Sequence, residues 1–251
     1  MMLLVDIGNT RVKWATCAGS RISPQRAAPY SGWNVADWQR ELFGTQRYTR
    51  VMIASVAGAD SKHLLSTAAA RAGVDDLRFV TSTASAAGVL NAYPDPRLLG
   101  VDRWVGVIGA YHLQARACCI ADVGTAATID AVDGSGQHLG GFIVPGPRLM
   151  VTSLLTGTSD LAAHSAASRT SDATQFADNT RDAIEQGCRI ALAALIERSY
   201  ADLARVTGAP PALLLTGGAA AEVQPYLQTP FEHVPDLVLH GLARLAGSQG
   251  P

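Results

Sequence analysis

The sequence predicts an α/β protein of two similar lobes, each a mixed sheet flanked by helices. Three observations predict it. Short apolar runs of strand length alternate with longer stretches of helical spacing. Two of those runs end in the same turn pattern, Asp6-Ile7-Gly8-Asn9-Thr10 and Asp122-Val123-Gly124-Thr125-Ala126. Each turn is followed by a second strand-like run, so one strand–turn–strand unit occurs twice. The expected division is a lobe of residues 1–115 and a lobe of residues 116–251.

The elements of the first lobe follow from local pattern. Leu3–Ile7 is an apolar strand, Gly8-Asn9-Thr10 a turn and Arg11–Thr16 the returning strand. Val35–Phe43 has helical spacing, with Trp38 and Leu42 four residues apart. Val51–Val56 reads as a buried strand and Ser61–Arg71 as a helix stopped by Gly73. Leu77–Val80 is a further strand. Ala92–Leu99 holds two prolines and is expected to be a loop. Val101–Leu113 is a helix with Val101, Trp104, Val105, Ile108 and His112 on one side.

The second lobe opens in the same way. Ala117–Val123 is a strand, Gly124-Thr125 a turn and Thr128–Val132 a return. Asp133-Gly134-Ser135-Gly136 is a hairpin turn into His138–Val144. Pro145-Gly146-Pro147 leads to a helix near Arg148–Leu155. Gly157–Thr174, rich in Ser, Thr and Ala, is expected to hold a loop or lid. Asn179 suits an N-cap for a long helix, Thr180–Val206. Ala212–Leu215 is a strand, Gly217–Leu227 a helix opened by glycine, and His233–Ala246 closes the chain.

Composition narrows the function classes. The 251 residues carry 20 basic and 21 acidic side chains, a net charge of −1. That leaves no cationic excess to neutralise many phosphates, so nonspecific nucleic-acid binding is not expected. Only Lys13 and Lys62 are lysines; the other basic residues are arginines. Cys17, Cys118, Cys119 and Cys188 form no CxxC or Cys/His cluster, which points to buried, reduced cysteines. No run approaches the roughly 20 apolar residues that span a bilayer. The run Met1–Val5 is ended by Asp6 and has no basic segment before it, so no signal peptide or membrane association is expected. The expected location is the cytoplasm.

Three constellations carry chemistry. In the first turn, Gly8 permits a tight bend, and the turn N–H groups with Asn9 and Thr10 can donate to phosphate oxygens. Asp6 would repel a phosphate directly but can hold a hydrated Mg2+ that bridges to one. Lys13, on the returning strand, can reach the same phosphates. Taken singly, such a turn serves equally as a hairpin whose Asp caps it; its second copy at Asp122 favours phosphate. Leu213-Leu214-Leu215-Thr216-Gly217-Gly218-Ala219 is a strand running into a glycine turn, able to lie against a nucleotide. It matches neither GxxxxGK[ST] nor GxGxxG. Gly100-Val101-Asp102-Arg103-Trp104 sets a carboxylate and a guanidinium on the first turn of a helix. Phosphoryl transfer to an alcohol needs such a carboxylate, and Arg103 suits a substrate carboxylate or the transferring phosphoryl group. The plainer reading is helix-terminal charge with a surface arginine. HExxH, GxSxG and His/Cys ligand clusters are missing.

Together and in this order, DIGNTRVKW, GVDRW, DVGTAATID and LLLTGGAA resemble the motifs of the type III pantothenate kinases. The likeness runs over nearly the whole chain. It implies the acetate kinase/sugar kinase/Hsp70/actin superfamily: two RNase H-like lobes with ATP between them. By that resemblance Asp6, Ile7, Gly8, Asn9, Thr10, Arg11, Val12 and Lys13 would bind ATP phosphates and Mg2+, and Thr125 would contact ATP. Tyr93, Gly100, Val101, Asp102, Arg103 and Thr180 would bind pantothenate, with Asp102 the proton acceptor. Asp122 would hold a monovalent cation, K+ or NH4+. Where many members have Ala, this chain has Val101. A homodimer is also implied, with the second lobe's long helices suited to the interface.

The resemblance implies ATP-dependent phosphorylation of pantothenate, the first step of coenzyme A synthesis. An alternative is a regulatory accessory factor of the Bvg accessory factor type. Asp6, Asp102, Arg103 and Asp122 are all present, which favours retained catalysis, and no basic stripe supports DNA contact. A sugar or acetate kinase of the same superfamily is a third reading, opposed by the GVDR motif.

Overall fold

The computed structural model describes residues 1–19, 21–157 and 176–248. These fall into two compact units. One holds Met1–Ala115, Gly136–His138 and the chain from Asp236 on; the other holds Arg116–Ser135 and Leu139–Pro235.

In the first unit, β1 (Met2–Ile7) and β2 (Arg11–Ala18) form an antiparallel hairpin. The short strands β3 (Arg21–Ile22) and β4 (Arg26–Pro29) extend it on the β2 side. On the other side β5 (Arg50–Ser55) and then β6 (Leu77–Phe79) add in parallel, giving the order β3-β2-β1-β5-β6. Because successive side chains alternate between faces, Leu3, Val5 and Ile7 turn to one side of β1. There they meet Trp38, Leu42 and Phe43 and, from α2 (Ala59–Arg71), Leu65, Ala68 and Ala69.

The segment Val35–Phe43 was expected as one helix. It is a four-residue helix α1 (Val35–Trp38) that widens into a π turn, Gln39–Phe43, closed by Gly44 N–H on the Gln39 carbonyl at 2.9 Å. The extra residue in the turn lets the adjacent Leu42 and Phe43 both be buried along with Trp38.

Leu4, Asp6 and Met52 are left for the opposite face. There lie α3 (Val101–Gln114) and the chain's last helix, Leu237–Ser248. A two-stranded hairpin, β7 (Ser85–Ala86) with β8 (Val89–Leu90), precedes α3. The proline-bearing loop before α3 contains one 3-10 turn, Pro96–Leu98.

The second unit uses the same order again. β9 (Cys118–Val123) and β10 (Ala126–Val132) form the antiparallel hairpin, β11 (His138–Pro145) flanks β10, and β12 (Ala212–Thr216) adds in parallel to β9. The strand β13 (Glu232–His233) completes the order β11-β10-β9-β12-β13. After α4 (Pro147–Gly157), the long helix α5 (Thr180–Thr207) buries Leu192, Ile196 and Leu203 against Cys119, Ala121 and Leu213. Asn179 caps α5, its side chain accepting from the Asp182 N–H. The expected lid Gly157–Thr174 lies, apart from Gly157 at the end of α4, outside the described residues. The expected helix Gly217–Leu227 is shorter: α6 (Ala220–Val223) gives way to a 3-10 turn, Gln224–Tyr226, because Pro225 has no N–H to continue the helix.

The last helix is α7 (Leu237–Ser248). Residues 116–251 were expected to form one lobe, yet α7 belongs to the first unit. The reason is steric. A Cβ at Gly109 of α3 would lie 2.5 Å from the Leu237 carbonyl oxygen, and one at Gly241 would lie 2.0 Å from that of Val105. The two backbones touch where no side chain intervenes. Among the described residues no helix is long and apolar enough to cross a membrane. All four cysteines are buried and none is in a disulfide; burial pushes the Cys118 and Cys119 thiols up to about 12.

Gly241→Ala is expected to cost at least about 1–3 kcal/mol, the scale of an overpacked core position, measured as a lower urea midpoint. An unchanged midpoint would contradict the backbone contact.

Candidate active site

The first turn is built by the β1–β2 register. Asp6 stands opposite Lys13 and Ile7 opposite Val12, and Gly8 N–H closes the turn on the Arg11 carbonyl at 3.0 Å. Directly opposed residues share a face, so Asp6 and Lys13 project to the same side, the side of α7. Asp6 is buried at 7% exposure, Lys13 is half-buried, and Asn9, Thr10 and Arg11 are exposed. Ile7 and Val12 are fully buried, and the Ile7 carbonyl accepts the Val56 N–H at 3.0 Å. Tyr30 donates its hydroxyl to the Gly8 carbonyl at 2.7 Å and to that of Asn9 at 3.3 Å. This fixes the turn's acceptors on the protein side. Asp236, at the head of α7, has its carboxyl held below the usual range, chiefly by His240 at 3.4 Å, with Lys13 contributing.

The GVDR motif forms the first turn of α3. Gly100 is the N-cap, and its carbonyl accepts the Trp104 N–H at 2.9 Å. The Asp102 carboxylate folds back on the helix start, its Oδ1 accepting the Arg103 N–H at 2.8 Å. A Cβ at Gly100 would lie 2.8 Å from that oxygen, so glycine leaves room for the carboxylate. Arg103 is only 8% exposed. It donates from Nη1 to the Tyr93 hydroxyl at 3.1 Å, and its guanidinium lies 5.9 Å from the Tyr93 ring centre. Tyr93 in turn stacks on the fully buried His138, with centroids 6.4 Å apart and planes at 11°. Tyr93, Gly100, Val101, Asp102 and Arg103 are therefore brought together in one unit, with the guanidinium held in a fixed plane.

The second turn is one residue tighter. Asp122 pairs in register with Thr128, and Gly124 N–H closes on the Ala126 carbonyl at 3.1 Å. Thr125 is exposed at its tip. The third glycine turn presses against this one. Gly217 has φ of +95°, a conformation that favours glycine. A Cβ there would lie 2.3 Å from the Val123 carbonyl oxygen and 2.5 Å from Asp122 Oδ1. Ala219 N–H donates to the same Val123 carbonyl at 2.8 Å. Thr180 also lies in the second unit, as the first residue of α5.

A family profile described as Type III pantothenate kinase matches residues 2–202. The Type III pantothenate kinase of Aromatoleum aromaticum is 39% identical over 98% of both chains. This chain belongs to the type III pantothenate kinase family. The Azoarcus sp. member is 37% identical over 99% of this chain and 91% of its own. Component A of the (R)-2-hydroxyglutaryl-CoA dehydratase of Acidaminococcus fermentans superposes with a TM-score of 0.55 at 13% identity. It covers 98% of this chain and 95% of its own, a likeness of fold alone. The two mixed sheets flanked by helices are the fold of actin-like ATPases and sugar kinases.

Two positions of this chain carry no local signal in the sequence. Tyr30 is 22 residues from the carbonyl it binds, and nothing local marks it. His138 is one of six scattered histidines and is fully buried; only the fold sets it against Tyr93. The glycine turn at Gly217 was legible, but not its contact with Asp122.

Gly217→Ala is expected to lower the thermal midpoint by roughly 5 °C or more, since 1 kcal/mol moves a chain of this size by about 2–4 °C. Gly218→Ala, with no atom within 4 Å of the added carbon, is the control and should melt with the unmodified chain. Equal melting of both variants would refute the contact.

Proposed function

We propose that this chain transfers the γ-phosphoryl group of ATP to the primary alcohol of pantothenate, giving 4′-phosphopantothenate, the first step of coenzyme A synthesis. Its family supports the reaction class. The single observation that carries the site assignment is the first turn of α3, where Asp102 and Arg103 stand side by side with Arg103 fixed by Tyr93. Pantothenate has one carboxylate and one reacting alcohol. Arg103 pairs with the carboxylate in the two-pronged geometry a guanidinium favours. Asp102 takes the alcohol proton as the alcohol oxygen forms its bond to phosphorus and the bond to the ADP oxygen breaks. Tyr93 and Thr180 complete the pantothenate contacts.

The Asp6–Lys13 turn holds the phosphates. Gly8 N–H is used within the turn and Tyr30 occupies the Gly8 and Asn9 carbonyls, which leaves the exposed Asn9 and Thr10 to meet the phosphates. Lys13 adds a cation, and Thr125 makes a further contact to ATP. Among the described residues no three His, Cys, Asp or Glu side chains cluster as a metal cage. Mg2+ keeps its waters and takes few carboxylates, and Asp6 would be its ligand. Asp122 Oδ1 beside the Val123 carbonyl offers hard oxygen donors, and these fit K+ or NH4+. Either ion supplies positive charge that offsets the phosphates. The second unit leaves Leu149, Leu154 and Ile190 on α4 and α5 exposed, which supports a homodimer through these helices; light scattering on the full chain should give twice the protomer mass, and a monomer mass would reject it. The cytoplasm is the compartment that suits such an enzyme.

A coupled ADP-release assay with and without pantothenate tests the reading. Asp102→Asn keeps an oxygen for the Arg103 N–H, and is expected to lower kcat at least about a hundredfold, the scale of a lost general base. Near-normal turnover would remove Asp102 from the mechanism. In the same assay K+ or NH4+ should support the rate and Na+ should not; equal rates would reject Asp122 as a cation ligand.

A further inference from the structure

Three residues of the β10–β11 turn, Gly136–His138, belong to the first unit, and they are fastened there. The Gly136 carbonyl accepts the Leu90 N–H at 2.9 Å, and Gln137 pairs as an isolated bridge with Leu90. Gly136 has φ of +88°, and a Cβ on it would lie 2.3 Å from the Gly88 carbonyl oxygen. His138 follows and has no solvent exposure. Burying an imidazole costs desolvation that an aliphatic side chain of that size would avoid. The structure shows what the imidazole does in return. Its Nδ1 accepts the Ala92 N–H in a long bond of 3.5 Å, and its ring lies nearly parallel to that of Tyr93, the next residue. Tyr93 itself is a half-buried loop residue between β8 and α3. Its own N–H donates to Asn91 Oδ1 at 2.9 Å, which sets its backbone but not its ring.

We infer that His138 is a positioning residue for the substrate carboxylate: it fixes the ring plane of Tyr93, and through the Tyr93 hydroxyl the orientation of the Arg103 guanidinium. The chain of contacts is unbroken. His138 stacks on Tyr93 with planes at 11° and centroids 6.4 Å apart, inside the range of a favourable aromatic pair. The Tyr93 hydroxyl accepts Arg103 Nη1–H at 3.1 Å. A two-pronged pair between guanidinium and carboxylate depends on the guanidinium plane. On a loop, the two side-chain torsions of Tyr93 would otherwise be ordered only when substrate arrives, and that ordering would weaken binding. The stack orders them beforehand. The inference rests on the reading of Arg103 as the partner of the pantothenate carboxylate.

The test uses the full chain in the ADP-release assay, with His138→Leu, His138→Phe, Tyr93→Leu and the double variant Tyr93→Leu/His138→Leu. Leu fills the space of His138 without a flat ring. His138→Leu is expected to raise KM for pantothenate about three- to tenfold, the range an aromatic pair spans. KM for ATP and kcat should each change less than about twofold. His138→Phe keeps a flat ring against Tyr93 and should restore most of the loss. Tyr93→Leu should raise KM for pantothenate more, and adding His138→Leu to it should have no further effect. If His138→Leu is not recovered folded, His138→Gln, which also lacks the ring, is read in the same way; if His138→Phe is not, the double variant decides alone.

If Tyr93→Leu raises KM for pantothenate and His138→Leu does not, the inference is overturned while the substrate reading stands. Additive effects in the double variant, equal rises in both KM values, or a His138→Phe as impaired as His138→Leu would overturn it likewise. A role in stability alone would lower kcat through the folded fraction and leave KM for pantothenate in place, and that result also rejects it. If Tyr93→Leu leaves KM for pantothenate unchanged, the substrate reading fails first and the inference with it.

Discussion

Helices α3 and α7 meet backbone to backbone because neither Gly109 nor Gly241 carries a side chain to hold them apart. The placing of several charged side chains of the first unit hangs on that meeting. The head of α3 bears Asp102 and Arg103; the head of α7 bears Asp236. Both helices lie on the sheet face to which Asp6 and Lys13 project. A close-packed interior transmits a displaced backbone rather than absorbing it, so a shift at this crossing would move both helix heads at once. The sheet below is rigid for its own reasons, with Leu3, Val5 and Ile7 fully buried against α1 and α2.

The two hairpins show how one local solution serves two tasks. Each ends a buried strand with Asp, places glycine in the turn and returns antiparallel. The first keeps a longer loop and a lysine opposite its Asp. The second is shorter, has Thr128 at the matching position, and receives Gly217 against its Asp. The same backbone solution thus carries different side chains in each unit, and with a net charge of −1 the chain as a whole has no cationic excess.

Legibility in the sequence followed the range of the interaction involved. The strands of both hairpins, α2, α3 and α5 could be read because apolar period and punctuating residues are local signals. The GVDR and DxG motifs could be read because their residues are adjacent in sequence. What could not be read is contact across distance. The second shared strand order depends on β5 and β12 joining in parallel, which no local pattern encodes. The π turn after Trp38 was hidden because Leu42 and Phe43 suit an α-helix equally well on spacing alone. Pro225 is a helix stop that the sequence displays locally. Above all, α7 follows β13 in the chain, and only the bare surfaces at Gly109 and Gly241 return it to the first unit.

That return has a consequence for how the protein is made. A ribosome delivers β1 first and α7 after the whole second unit. Until residues 237–248 emerge, one face of the first sheet has α3 but lacks its second helix, and Leu4 and Met52 lack part of the cover that buries them in the finished fold. The second unit contains all its own strands by then. Domains commonly fold as units during synthesis, so this chain finishes its later unit before its earlier one. The nascent first sheet, with an apolar face awaiting its last helix, is the stage of biogenesis most exposed to misassembly and to chaperone capture.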